Sequence, residues 1–511
     1  MTERIDEMTV GELARVAGVT VRLLHHYDEI GLLRPAHVAA NGYRYYRRAE
    51  AERLQEILAL KAGGVPLDEI GAMLDGKDRL ARLISLPEGA VESAKAEMQR
   101  RPGFVPVTVA ERVPWDDVAK VTVNTPALPG ITAEVGLSRH YPRGSDTAHV
   151  VGYVGPVSDY DLSKMEDPDP LMQIPRFQIG KTGVENKHEE DLRGEAGTRR
   201  IEVNAVGRVM REIDREEGIP GANLQLTVNH ALQNFSEARL AGESAAAVVM
   251  DPRNGDILAI ASAPSYDPNK FVRGISSRDY NALLEDPYRP LANKTAQGTY
   301  PPGSTFKMVV ALAALEAGVI DDKETVTCRG YKEVSGRRFH CWSRGGHGRV
   351  DLVRSLKESC DVYYYELAER VGIEAISAMA RKLGLGIRPD VPLSGVAEGL
   401  MPTKDWKREV RGGDWMIGDS LNAGIGQGFV LASPLQLAIM TARIASGTAI
   451  EPRLVRSIDG VEQPVRGTDV LDIDPSHLAA VRLGMYEVVN GTRGTAGRSR
   501  IVADGIRMAG K

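Results

Sequence analysis

The pattern of apolar residues changes character twice along this chain, near residue 103 and near residue 245, so no single domain can account for it. Residues 9–17 carry Val10, Leu13, Ala14 and Ala17 at helical spacing. Gly18 ends that piece, and Thr20 is placed to cap a second helix running to about Glu29. Asn41-Gly42 predicts a tight turn before a short strand over 43–46, and two more helical patterns cover 50–62 and 67–74. Residues 76–100 are charged and helical without a strong apolar face, which predicts a connector. From about Gly103 the stretches FVPVTVAERVPW and AHVVGYVG predict strands and turns. The third region opens with AAAVVMD, an Asn254-Gly255 turn and DILAIAS, a hairpin signature. Helical patterns dominate 305–385, and the final RMAGK predicts a strand. At 511 residues there is room for about three domains. The predicted fold class is multidomain α+β.

Charge and composition narrow the function classes. Sixty-four Lys and Arg against 69 Asp and Glu exclude a wholly basic nucleic-acid coat and an acidic tail protein, so any nucleic-acid site must be local. One such locality exists. Residues 15–48 hold six arginines (15, 22, 34, 44, 47, 48) against Asp28 and Glu29, with His25, His26 and His37 beside them. On two short helices followed by a turn and an aromatic-basic strand, this reads as a winged helix-turn-helix suited to phosphate contact; a small helical domain with a solvated basic face fits it as well. Three cysteines exclude a disulfide framework. No stretch approaches the roughly 18 apolar residues of a membrane span. The start MTERIDEMTV lacks the apolar core of a signal peptide. As written, the chain is expected to be cytoplasmic.

The strongest chemical signal is Tyr300-Pro-Pro-Gly-Ser304-Thr-Phe-Lys307. A serine and a lysine three apart at a helix start share one face. A buried amine held neutral can take the serine proton, and the helix N-terminus favours the oxyanion that follows. Alone, such a pair is an exposed helical turn. Ser359-Cys360-Asp361 follows 55 residues on from Ser304. Alone it is a capping turn; beside the first motif its serine and acid suit a proton relay. The signature of serine acyl-transferases also asks for a Lys-Thr-Gly strand. Lys181-Thr182-Gly183 precedes the serine and is set aside; Lys511 stands in the right order, without the Thr and Gly.

Cys328, Cys341 and Cys360 fall within 33 residues, with His347 among them at intervals of 13, 6 and 13. Three thiolates and an imidazole suit tetrahedral zinc, although free cysteines are often small core residues. Cys360 lies between Ser359 and Asp361, so a metal there would brace that loop. His340 is the alternative imidazole and reads as a surface residue.

Two resemblances organise these signals. TVGELARVAGVTVRLLHHYDEIGLLRP…NGYRYY resembles the MerR-family DNA-binding domain over about residues 8–75. That resemblance places Thr20, Arg22 and His25 on or near a recognition helix and Tyr43, Arg44 and Tyr46 in the wing, with DNA as partner. RHYPRGSDTAHVVGYVGPVS, GKTGVE, LRGEAGTRRIEVNAVGR, VVMDPRNGDILAIASAPSYDPN, YPPGSTFK, SCDVYYYELA and GIGQGFVLASPLQLA resemble the elongation-type class B penicillin-binding transpeptidases over about 104–511. It implies a strand-rich pedestal (dimerisation-type) domain over 104–238 and a serine transpeptidase α/β domain over 239–511, after a winged helix-turn-helix over 1–75 and a helical connector over 76–103. It further implies Ser304 as acyl-ester nucleophile, Lys307 as base, Ser359 and Asp361 as second motif, and Lys511 as the start of a third, at which the domain is expected to be incomplete. A structural zinc on Cys328, Cys341, His347 and Cys360 is expected. Peptidoglycan peptide stems and β-lactams are the expected substrates. The family sits in the inner membrane facing the periplasm, with membrane proteins of the elongation machinery as partners; a homodimer is a further expectation. Three readings stay open: a transpeptidase, a MerR-type DNA-binding regulator with a degenerate penicillin-binding region, and an inactive fusion.

Overall fold

In a computed structural model, the structure describes residues 7–62, 66–68, 70–71, 74, 80–81, 83–86, 89–100, 106–111, 113–125, 128, 130–133, 137–174, 177–203, 209–272 and 274–511. The connector expected over 76–103 and the helix expected over 67–74 lie partly outside them. The chain forms two compact units, one from 1–137 with 197–218, the other from 138–196 with 219–511. The residues expected to form one pedestal over 104–238 are thus shared between the two.

In the first unit, Thr9 caps the helix Val10–Val16 through a reciprocal pair with Glu12, and Thr20 caps Val21–Glu29 through Leu23 N–H. Strands Met8–Thr9, His37–Val38 and Arg44–Tyr46 form a small antiparallel sheet with Arg44–Tyr46 in the middle. Leu13, Leu24, Tyr27, Leu33, Tyr46, Leu54 and Ile57 make its core, closed by the helix Arg48–Ala62. The strands expected in FVPVTVAERVPW are not seen among its described residues. Instead Pro114 opens a helix at Trp115–Val123, with Asp116 and Asp117 complementing its positive end. A charged antiparallel hairpin pairs Thr198–Val203 with Val209–Glu216.

In the second unit, AHVV is a short helix, Ala148–Val151, not a strand. Gly152 ends it at φ +80°, where a Cβ would lie 1.9 Å from the Thr182 carbonyl oxygen. The hairpin expected around Asn254-Gly255 is present as Ala245–Met250 paired with Ile257–Ala263. Buried Gln233, on the helix His230–Leu240, caps the second strand by accepting from Ile260 N–H and donating to the Ile260 carbonyl. The helix Lys307–Glu316 is apolar on every side from Met308 to Leu315, so that stretch must be enclosed. Helices Asp361–Val371, Ile373–Lys382 and Pro475–Asn490 surround it. Between Lys307–Glu316 and Leu352–Lys357 the expected helical texture gives way to two strand pairs, Val326–Cys328 with Gly348–Val350 and Tyr331–Val334 with Arg337–His340. RMAGK is not a strand: its backbone turns onto the helix Pro475–Asn490, with Gly510 N–H donating to Met485 O and Met508 O accepting from Asn490.

One close approach fixes the helix that carries Asp361. At Gly424, on Ile417–Gly424, a Cβ would sit 2.6 Å from Ala368 Cβ and 2.9 Å from the Tyr364 carbonyl. Gly424→Ala is therefore expected to cost about 1–3 kcal/mol, as overpacking does, read as a lower urea midpoint with unchanged slope.

Candidate active site

Ser304 lies in a tight turn, Gly303–Phe306, that runs into the helix Lys307–Glu316. The turn is pinned from behind: Tyr300 and Ala432 exchange two backbone hydrogen bonds of 2.9 Å, and Gly303 N–H donates to Gly426 O. One turn on, Lys307 is wholly enclosed, with its Nζ donating to Asp361 Oδ1 at 2.7 Å, Ser359 O at 3.0 Å and Ser359 Oγ at 3.1 Å. The Tyr364 ring lies 5.5 Å from the same ammonium. Ser359 Oγ in turn donates to Ser304 Oγ at 3.0 Å. The hydrogen-bonded path from Ser304 to Lys307 thus runs through Ser359, and the amine expected to be held neutral faces a carboxylate.

The second motif gets its shape from its neighbours. Ser359 has φ +53°, an uncommon conformation for a serine. It is held by Ser359 and Cys360 N–H bonds to the Leu356 and Ser355 carbonyls. Asp361 begins the helix Asp361–Val371, and its Oδ2 accepts from Trp342 N–H at 2.9 Å. Nothing in the sequence spacing points to Trp342 or Tyr364; adjacency to Cys341 and Ser359-Cys360-Asp361 is the only available signal. Lys511 Nζ donates to the Leu356 carbonyl at 2.6 Å, and burial together with the Lys307 charge pulls its amine down to about 7. The set-aside Lys181 instead pairs with Asp161.

The three cysteines and His347 converge, their ligand atoms all within 4.8 Å of one another. Gly346 and Gly348, both at positive φ, turn the loop that presents His347. His347 Nδ1 stands 3.6 Å from Cys328 Sγ and 3.5 Å from Cys341 Sγ. Bonds of about 2.3 Å to sulfur and 2.0–2.1 Å to nitrogen at tetrahedral angles put those atoms about 3.5 Å apart. The set therefore fits zinc in number, softness and spacing. A Cys360 thiol bonded to Cys341 drives their acidities apart, pulling Cys341 down to about 5 and pushing Cys360 up. His340 is exposed and outside the cluster.

The N-terminal expectations divide. Thr20, Arg22 and Tyr43 are exposed, and His25 is half-buried. Tyr46 is completely enclosed in the module core and cannot form part of a contacting wing. Its wing neighbour Arg44 is half-buried, with its Nε donating to Asp28 at 2.7 Å.

A serine, a relaying hydroxyl and an enclosed lysine–aspartate pair at a helix start are the parts of a serine acyl-transfer site of the Ser-x-x-Lys class. The model of the penicillin binding protein transpeptidase domain matches residues 245–511, and that of the penicillin-binding protein dimerisation domain matches 49–226. The chain belongs to the penicillin-binding protein transpeptidase family. The peptidoglycan D,D-transpeptidase MrdA of Escherichia coli K12 is 37% identical over 428 residues, 82% of this chain and 68% of that protein. PBP2 of Pseudomonas aeruginosa, solved in complex with WCK 5153, is similar at TM-score 0.63 and 37% identity, covering 72% of this chain and 78% of that one. PBP2 of Helicobacter pylori, solved in complex with MreC, gives TM-score 0.71 and 30% identity over 82% of this chain and 80% of that one. The MerR HTH family regulatory protein model matches residues 8–77, overlapping the dimerisation match over 49–77. No helix among the described residues is long and apolar enough to cross a membrane.

Proposed function

We propose that the chain is a peptidoglycan D,D-transpeptidase that cross-links peptide stems through an acyl-enzyme on Ser304 and is acylated by β-lactams at the same oxygen. The observation that carries this reading is the continuous chain Ser304 Oγ–Ser359 Oγ–Lys307 Nζ at 3.0 and 3.1 Å, ending on Asp361. Ser304 Oγ attacks the carbonyl of a terminal D-Ala-D-Ala bond. Lys307 first gives a proton to Asp361, and the two hydroxyls, which in the resting site donate the other way, turn towards the freed amine; the Ser304 proton then passes to Ser359 as Ser359 passes its own to Lys307. The C–N bond then breaks, the proton returns along the same path to the leaving D-alanine, and the amine of a neighbouring stem attacks the ester carbonyl; its C–O bond to Ser304 breaks as the amine's proton passes back to Ser304 Oγ. The test is intact-mass and peptide mapping after penicillin treatment, which should put one adduct on Ser304; an adduct elsewhere, or none, sinks the reading.

Zinc on Cys328, Cys341, His347 and Cys360 belongs to the same proposal. When bound, it would supply rigidity, tying the loop before Asp361 to the strand that ends at Cys328 and to the segment just after the strand Arg337–His340, where Cys341 lies.

For the N-terminal module we propose phosphate contact from Arg22, exposed at the start of the helix Val21–Glu29. Anisotropy titrations with duplex DNA should show salt-dependent binding whose log–log slope falls by about 1 in Arg22→Ala. Binding that ignores salt or the substitution removes this role.

A further inference from the structure

Trp342 takes no part in the proton path, yet it holds two of the three groups that accept from the Lys307 ammonium, the Asp361 carboxylate and the Ser359 carbonyl. Its backbone N–H donates to Asp361 Oδ2 at 2.9 Å. Its indole Nε1–H forks to the Glu358 carbonyl at 3.1 Å and the Ser359 carbonyl at 3.0 Å. That Ser359 carbonyl is the one that also accepts from Lys307 at 3.0 Å. The residue is 60% exposed, so apolar burial alone does not explain its placement. Ser359, at φ +53°, needs its surroundings to hold it, since a serine in that region relaxes when released. Trp342 also follows Cys341 directly, and its ring meets that of His347 edge-on at 5.4 Å.

We propose that Trp342 is a positioning residue for acylation. It clamps the Ser359 carbonyl and the Asp361 carboxylate so that Lys307 keeps Ser359 Oγ aimed at Ser304. It also links the Cys/His loop to that geometry, because the same side chain touches both. The inference rests on the reading of Ser304 as nucleophile.

Trp342→Phe keeps the ring and the backbone N–H and deletes the indole donor. Stopped-flow acylation by a chromogenic β-lactam separates the limiting rate from the half-saturating concentration. Loss of one hydrogen bond of ordinary strength predicts a limiting rate about tenfold lower. The half-saturating concentration should stay within about twofold, because the clamp orients groups without binding the ligand. Metal content should not change. An unchanged limiting rate, or a loss that falls on the half-saturating concentration, overturns the proposal.

A second measurement does not need activity. With ¹⁵N-labelled indoles the chain shows signals from 4 tryptophans. The signal missing from Trp342→Phe should exchange with D2O far more slowly in the parent than a free indole does. Fast exchange overturns the clamp, whereas a protected indole in a protein that no β-lactam acylates supports the clamp and removes the transpeptidase reading instead.

Discussion

Ser304→Ala abolishes labelling by a fluorescent penicillin, with the acylation rate falling by about three orders of magnitude or more, as loss of a catalytic serine does elsewhere. The substitution removes one half-buried hydroxyl from a turn that stays pinned by Tyr300, Gly303 and their backbone partners, so the fold should survive it. Lys307→Met sharpens the result. It also stops acylation, but it leaves Asp361, only 14% exposed, without its cation. Removing one partner of a buried pair costs about 3–5 kcal/mol, so this variant should melt earlier while Ser304→Ala should not. Retained labelling in Ser304→Ala, mapped to another residue, would overturn the assignment of the nucleophile.

Some of this site is legible in the chain and some is not, for physical reasons. Ser304 and Lys307 are legible because they are local: helical spacing alone puts them on one face. The hairpin around Asn254-Gly255 is legible for the same reason, since its turn chemistry and its two apolar runs agree. Ser359 standing between Ser304 and Lys307 is a contact across 55 residues, and no periodicity reports it. Trp342 is a harder case still, because it acts partly through its backbone N–H, which every residue but proline has. In the wing, Tyr43, Tyr45 and Tyr46 look alike in sequence, but alternation along the strand Arg44–Tyr46 turns Tyr46 into the core and Tyr45 the other way, stacked on His37. RMAGK, expected as a strand, carries Ala509, Gly510 and Lys511, residue types depleted in strands, and its backbone bonds to a helix instead.

The cysteine cluster supports the other large effect. Cys328→Ser should remove one equivalent of zinc, lower the melting temperature by about 10 °C and slow acylation, although Cys328 is not among the groups bonded to Ser304, Ser359 or Lys307. The size follows from what the metal would join. Apparent zinc binding energies in small domains reach about 10–16 kcal/mol because the metal does the folding there. Here the helices around Lys307–Glu316 already have an apolar core, so only the strand pairs between Val326 and Val350 and the loop before Asp361 depend on the cluster. A few kcal/mol, at about 2–4 °C each for a domain of this size, gives the expected shift. Geometry makes the acylation effect follow: Cys360 is the residue between Ser359 and Asp361, and Cys341 precedes Trp342, so slackening the cluster slackens both holds on Lys307. A disulfide in place of the metal makes the opposite prediction. Two thiols would be lost to titration under denaturing, metal-free conditions, and reductant rather than chelator would lower the melting temperature. Protein purified without stoichiometric zinc, or a Cys328→Ser variant that melts where the parent does, removes the metal from the account.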